Sequence, residues 1–189
     1  MTTDLSRHFR EHQQVVDASV KALEPAADAA GRAIVAALAA GQKVICFGNG
    51  GSAAEASHMA EELVGRYSKT RRPFPAISLA ADSGTVTCIA NDFGYGALFE
   101  RQIEAFAQPG DVAIALTTSG GSENVIRALT MARAKGAVTI ALTGSAGLAG
   151  GEADHLLAVP SGVTAYVQEV HLMLLHVWCT SIDKVFATD

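Results

Sequence analysis

What this chain has little of narrows the field before any motif is considered. Its three cysteines, Cys46, Cys88 and Cys179, are odd in number and widely spaced, which excludes a CxxC metal or redox pair and a fully paired disulfide framework. All three sit in apolar surroundings, the pattern of buried free thiols in a reducing cytoplasm. Charge is scarce at 17% of residues, with a net charge of −5. The one basic run, Lys69-Thr-Arg-Arg72, is short and reads as a solvated loop, so no nucleic-acid partner is expected. No uninterrupted apolar run reaches membrane-spanning length, and the first residues carry no apolar signal core. The expectation is a soluble, cytoplasmic protein with no membrane partner. Linkers, low-complexity tracts and sequence repeats are also missing, so residues 1–189 read as one domain.

What is present is apolar residue in quantity, 49% of the chain, enough for a well-buried core. Residues 5–40 show helical patterning, interrupted near Glu24-Pro25, and this segment is expected to pack on the sheet and in an oligomer. Short apolar runs follow at Lys43–Phe47, Ala76–Leu79, Val112–Leu116 and Val138–Leu142, with a fifth at Leu156–Val159 before Pro160. Helical patterns separate them at Ser52–Tyr67, Leu98–Phe106 and Ser122–Lys135, and a last helix covers Thr164–Val185. Alternation of this kind predicts an α/β fold with a parallel sheet of five strands covered by helices on both faces.

Two strand-to-helix junctions are rich in glycine and hydroxyls. They are Gly48-Asn-Gly-Gly-Ser52 and Thr117-Thr-Ser-Gly-Gly-Ser122. Both fall at a strand's carboxyl end, where open α/β sheets bind ligands, and both open a helix whose free N–H groups suit phosphate. No lysine follows, which excludes a Walker loop, and the spacing is not GxGxxG. A sugar phosphate held by neutral donors fits better than a nucleoside triphosphate. The plain alternative for either loop is a tight turn with Ser52 or Ser122 as helix N-cap.

His58 and Glu62 stand four apart on the helix after the first junction and share its face. The last helix carries Gln168, Glu169, His171 and His176 among Val, Leu and Met. Two readings stay open. His58, Glu62, Gln168 and His176 can bind a zinc-type ion, although Gln168 and His176 are roughly 12 Å apart along a helix axis. Alternatively, Glu62 and His176 act as a general acid/base pair without metal.

Gly48-Asn-Gly-Gly-Ser-Ala-Ala-Glu-Ala-Ser-His-Met-Ala-Glu-Glu-Leu-Val-Gly-Arg-Tyr67 resembles the signature of the phosphoheptose isomerases, members of the sugar isomerase (SIS) fold group. Further matches are Ala90-Asn-Asp-Phe-Gly94, Thr117–Val125, and Gln168-Glu-Val-His171 with His176. The resemblance implies a three-layer αβα SIS fold and conversion of sedoheptulose 7-phosphate to D-glycero-D-manno-heptopyranose 7-phosphate. That is the first step toward ADP- or GDP-heptose for lipopolysaccharide core or other surface glycans. It implies substrate contacts from Asn49, Gly50, Gly51, Ser52, Glu62, Asn91, Asp92, Thr117, Thr118, Ser119, Ser122 and Gln168. It implies catalysis by Glu62 and His176, with Asp92 assisting ring opening or hydroxyl orientation. It also implies one Zn(2+) per subunit on His58, Glu62, Gln168 and His176, and a homotetramer with active sites between subunits. Three departures are mild: Thr117 for a common Ser, Gly121 for a frequent Asn, and Gly144-Ser-Ala-Gly147 for a charged turn, the last read as surface variation. A rival within the fold group is a non-catalytic relative that binds the replication initiator. It lacks the acid and histidine matching Glu62 and His176. Another is an SIS isomerase of a different sugar phosphate.

Overall fold

The computed structural model describes residues 4–150 and 152–188. The apolar runs become β1 (Val44–Gly48), β2 (Ala76–Ser78), β3 (Val112–Thr117), β4 (Val138–Thr143) and β5 (His155–Ala158). They form one sheet in the order β2-β1-β3-β4-β5, every pair parallel. β1 and β3 are buried along their whole length, which is why their sequences run apolar without alternation.

Alternate strand residues feed two cores. Val44, Cys46, Val112, Ile114, Leu116, Ile140 and Leu142 pack under α1 (Leu5–Ala39), α2 (Gly51–Val64) and α6 (Thr164–Phe186). Ile45, Phe47, Ala113, Ala115 and Ala141 face α3 (Ser83–Phe93), α4 (Leu98–Phe106) and α5 (Glu123–Ala134). The expected three-layer αβα arrangement follows from this two-sided burial. Among the described residues no helix is long and apolar enough to cross a membrane.

Four expectations need correction. The interruption near Glu24-Pro25 is absent: α1 is one helix of 35 residues with Pro25 inside it. A proline in a helix interior costs roughly 3 kcal/mol. The buried stripe Leu23, Ala27, Ala30, Ile34 and Leu38 runs through it and continues the packing on both sides. Gly31 lets Trp178 in close, since a Cβ there would fall 3.1 Å from Trp178 Cδ1. Trp178 Nε1 then donates to the Ala27 carbonyl at 3.0 Å.

α3 was not foreseen. Its Ser-Gly-Thr-Val-Thr start has weak helix formers, and only the Asp82 cap, accepting from the Gly84 N–H, announces it. Cys46 and Cys179 are buried, but Cys88 on α3 is exposed. The basic run is a solvated loop only in part: Lys69, Thr70 and Arg72 are exposed, but Arg71 is not. Arg71 is buried and pairs with Asp183 of α6 at 3.2 Å. It also donates to the carbonyls of Glu62 at 2.5 Å and Leu63 at 3.0 Å, tying down the end of α2. Arg72 lies over the Phe74 ring at 4.5 Å.

After β1 the chain crosses to β2 on one side, and after β3 it crosses to β4 on the other. The strand order therefore reverses between β1 and β3, and the loops that follow them part around a crevice at the sheet's carboxyl edge. Both glycine-rich junctions are these loops.

Candidate active site

The first junction makes a very tight turn. A Cβ on Gly48 would fall 2.7 Å from the Leu116 carbonyl, so β1 and β3 can approach only with glycine there. Gly50, with φ +57, is the N-cap of α2 and makes no side-chain cap bond. Ser52 is therefore inside the helix and buried, not its cap. The half-buried Asn49 side chain exchanges two hydrogen bonds with Asn124 of α5, each 2.9 Å. Tyr95 adds a third, its hydroxyl donating to Asn49 Oδ1 at 2.8 Å.

The second junction is shaped from within. Thr117 Oγ1 donates to Ser122 Oγ at 3.2 Å, and the Gly121 N–H reaches Ser119 Oγ at 3.3 Å. Ser122 is the N-cap of α5 but makes no side-chain cap bond, which leaves the first-turn N–H groups without a side-chain acceptor. A Cβ at Gly121 would meet nothing within 4 Å, so the departure there leaves open space. The Gly144–Gly147 turn is more than surface variation. The Gly144 N–H donates to the Thr118 carbonyl and the Ala149 N–H to the Gly120 carbonyl, bracing this loop from behind.

Asn49, Gly51, Ser52, Thr117, Thr118, Ser119, Ser122 and Gln168 line one cavity of about 240 Å³, together with Leu116 and Thr164. Eight of the expected substrate residues thus meet between the loops. Gln168 stands hard against the first turn, since a Cβ on Gly51 would fall 2.3 Å from its Nε2. Asn91 and Asp92 do not line this cavity. They end α3, exposed, with Asn91 Nδ2 donating to Asp92 Oδ1 at 2.7 Å.

His58, Glu62 and His176 form a second cluster, farther along α2 and α6. His58 Nε2 lies 3.0 Å from His176 Nε2 and 3.5 Å from Glu62 Oε1. All three donor atoms fall within 4.8 Å of one another, and all three residues are half-buried. Tetrahedral zinc with ligands near 2.1 Å sets its donors roughly 3.4 Å apart, so two imidazoles and a carboxylate in this arrangement fit such an ion. Tyr67 stacks on His176 with centroids 5.5 Å apart. Gln168, two turns earlier on α6, stays with the loops.

Three residues near these sites escaped the sequence reading. Asn124 and Tyr95 hold Asn49, but their partner lies 75 and 46 residues away, a pairing no local pattern announces. Glu55 shares the α2 stripe with Gly51, His58 and Glu62. Its Oε2 is buried without a hydrogen-bond partner, and burial pushes its carboxyl up to about 7. His171 was legible as part of a motif but is a core residue. Its Nε2 donates to the Thr143 carbonyl at 3.2 Å, and burial lowers its pKa to about 4. The unfolded chain then takes up this proton near 6.5, before the native one does. Stability from this group is complete above pH 6.5 and lost as pH falls toward 4, by roughly 2–3 kcal/mol at pH 4.5. Urea unfolding at pH 7 and pH 4.5 checks this, because His171→Gln should lose that much less between the two.

The model of the SIS domain family matches residues 7–144. The phosphoheptose isomerase of Aquifex aeolicus is 48% identical, over 98% of this chain and 97% of its own. That of Paramagnetospirillum magneticum is 45% identical over the same shares. The solved phosphoheptose isomerase from Francisella tularensis superposes with a TM-score of 0.88 at 34% identity, covering 97% of this chain and all of that one. The one from Neisseria gonorrhoeae gives 0.86 at 35% identity, over 95% and 97%.

Proposed function

The chain belongs to the phosphoheptose isomerases of the SIS domain family, and from that premise we propose that it converts sedoheptulose 7-phosphate to D-glycero-D-manno-heptopyranose 7-phosphate. The product would feed the synthesis of nucleotide-activated heptose for a surface glycan. The observation that carries the reading is the convergence of His58, Glu62 and His176 on the helices that also frame a hydroxyl-lined cavity.

A ketose becomes an aldose when a proton moves between C1 and C2 through an enediol. The phosphate is held in the cavity by the hydroxyls of Thr117, Thr118, Ser119 and Ser122 and the free N–H groups opening α5. The Asn49-Gly50-Gly51-Ser52 turn and Gln168 take the sugar hydroxyls. Glu62 removes the proton from carbon, and His176 manages the protons on oxygen. Asp92, exposed at the end of α3 outside this cavity, would orient a hydroxyl or assist ring opening only if the sugar extends past the cavity to reach it.

One zinc ion per subunit would be held by His58, Glu62 and His176, while Gln168, the fourth donor of the expected set, stands against Gly51 in this structure. Bound there, zinc supplies Lewis-acid polarisation of the sugar carbonyl. The reading extends to a single domain over residues 1–189, a cytoplasmic location, and a homotetramer with sites between subunits. Leu5, Phe9 and Val20 on α1, with Met173, Val177 and Val185 on α6, are exposed apolar side chains that such an assembly would cover.

Two measurements test this. NMR of purified protein with sedoheptulose 7-phosphate should show the aldoheptose phosphate growing in, and no product with or without added zinc would end the proposal. Elemental analysis should find about one zinc per chain, falling at least tenfold in His58→Ala. Equal metal content in the two proteins would remove the zinc site.

A further inference from the structure

Gly48-Asn49-Gly50-Gly51 contains a single side chain beyond hydrogen, that of Asn49. The parallel register of β1 with β3 stops at Gly48 opposite Leu116, so the sheet ladder no longer holds the chain beyond that point. A turn of glycines has the most backbone freedom of any, and ordering it is correspondingly costly. Gln168 packs against Gly51, but the Asn49 side chain is the one side chain within this turn through which the rest of the protein hydrogen-bonds to it.

We propose that Asn124 is a positioning residue for the isomerisation: through Asn49 it locks the first turn to the start of α5, so that the two loops form one rigid cradle. This rests on the isomerase reading above, and it gives a role to a residue outside the expected set. Asn124 is 2% exposed and is the second residue of α5. An asparagine there would ordinarily serve its own helix end. Instead both ends of its amide point across the crevice, giving and receiving at 2.9 Å. Burying an amide is favourable only when it is bonded in this way.

The same bonds limit what Asn49 can do. Its Oδ1 has two lone pairs, taken by Asn124 Nδ2 and the Tyr95 hydroxyl. Of its two Nδ2 hydrogens, one goes to Asn124 Oδ1. Asn49 therefore meets substrate through its backbone and at most one N–H. Its side chain serves mainly as an anchor. Tyr95 is more than half exposed, so its hydroxyl braces the same anchor from the outer side.

Amide hydrogen exchange on the substrate-free protein tests the lock directly. In Asn124→Ala, exchange at residues 50–53 should quicken roughly tenfold while the sheet and the rest of α5 keep their protection. Asn49→Ala should do the same, and the double variant should be no faster than either single one. With sedoheptulose 7-phosphate, Asn124→Ala should raise KM roughly tenfold with kcat changed less. A protein merely misfolded in part would lose kcat at constant KM. Tyr95→Phe, at an exposed ring, covers the case of Asn124→Ala failing to fold. It should quicken exchange at the turn two- to threefold in the natural background and not at all in Asn49→Ala. Unchanged exchange at 50–53, or effects that multiply in the double variant, would overturn the proposal. A wild-type protein without isomerase activity would leave the exchange result standing and would count against the reaction alone.

Discussion

Glu62→Gln is expected to lower turnover by on the order of 10³-fold with the fold intact, the loss typical of removing a positioned general base. Gln keeps the size and hydrogen-bonding shape of Glu but cannot accept a proton from carbon. The fold should survive because the bond that Arg71 makes here goes to the Glu62 carbonyl, not to its side chain. The side chain itself sits half-buried at the edge of the cluster, 3.5 Å from His58. His176→Gln should be similarly inactive. Measuring metal content in the same samples separates a lost base from a lost ligand: if excess zinc refills Glu62→Gln without restoring turnover, the base is what is missing. A variant retaining a tenth of wild-type turnover would reassign the role of Glu62.

Asp183→Ala should be the most destabilising single change away from the reaction, by about 3–5 kcal/mol. Asp183 is 3% exposed and accepts from the N–H groups of Ser68 and Lys69 at 2.9 and 2.8 Å, as well as from Arg71 Nε at 3.2 Å. Removing it strands the Arg71 guanidinium, 7% exposed, against a helix end. In a chain of this length the melting temperature should drop by on the order of 10 °C. Arg71→Met together with Asp183→Leu should recover much of the loss, because an apolar pair leaves no unpaired charge. A drop of less than 1 kcal/mol in Asp183→Ala, read from urea midpoints, would show that the pair is a bystander. Burial alone would raise the Asp183 carboxyl, but the two amides and the guanidinium outweigh it and hold it below its ordinary value of 3.8. Its contribution is thus complete above that pH and is lost in stronger acid.

The strands could be read from the sequence because buried parallel strands must be apolar along their length, as Val44–Phe47 and Val112–Leu116 are. α3 could not, since Gly84, Thr85 and Thr87 favour other conformations and tertiary packing outweighs them: Ile89 is buried, Val86 lies against the core, and the helix packs on α4 and on residues 95–97. Pro25 misled for the same reason: a local penalty was outweighed by a packed stripe on the same helix whose partners on α6 and β5 lie far away in sequence. The site divided along similar lines. Residues within one motif, such as His58 with Glu62, were legible from helix spacing. Partners joined only through the fold, such as Arg71 with Asp183 or Asn49 with Asn124, were not.

The unbroken α1 has one more consequence. At 35 residues it is roughly 50 Å long, whereas the longest strands, of six residues, span roughly 20 Å. The sheet cannot cover such a rod, and its first turns carry Leu5 and Phe9 into solvent, both 64% exposed. Whatever shelters them stabilises the native chain by mass action. The melting point of this protein is then partly a property of its solution, rising with its own concentration if the shelter is another copy.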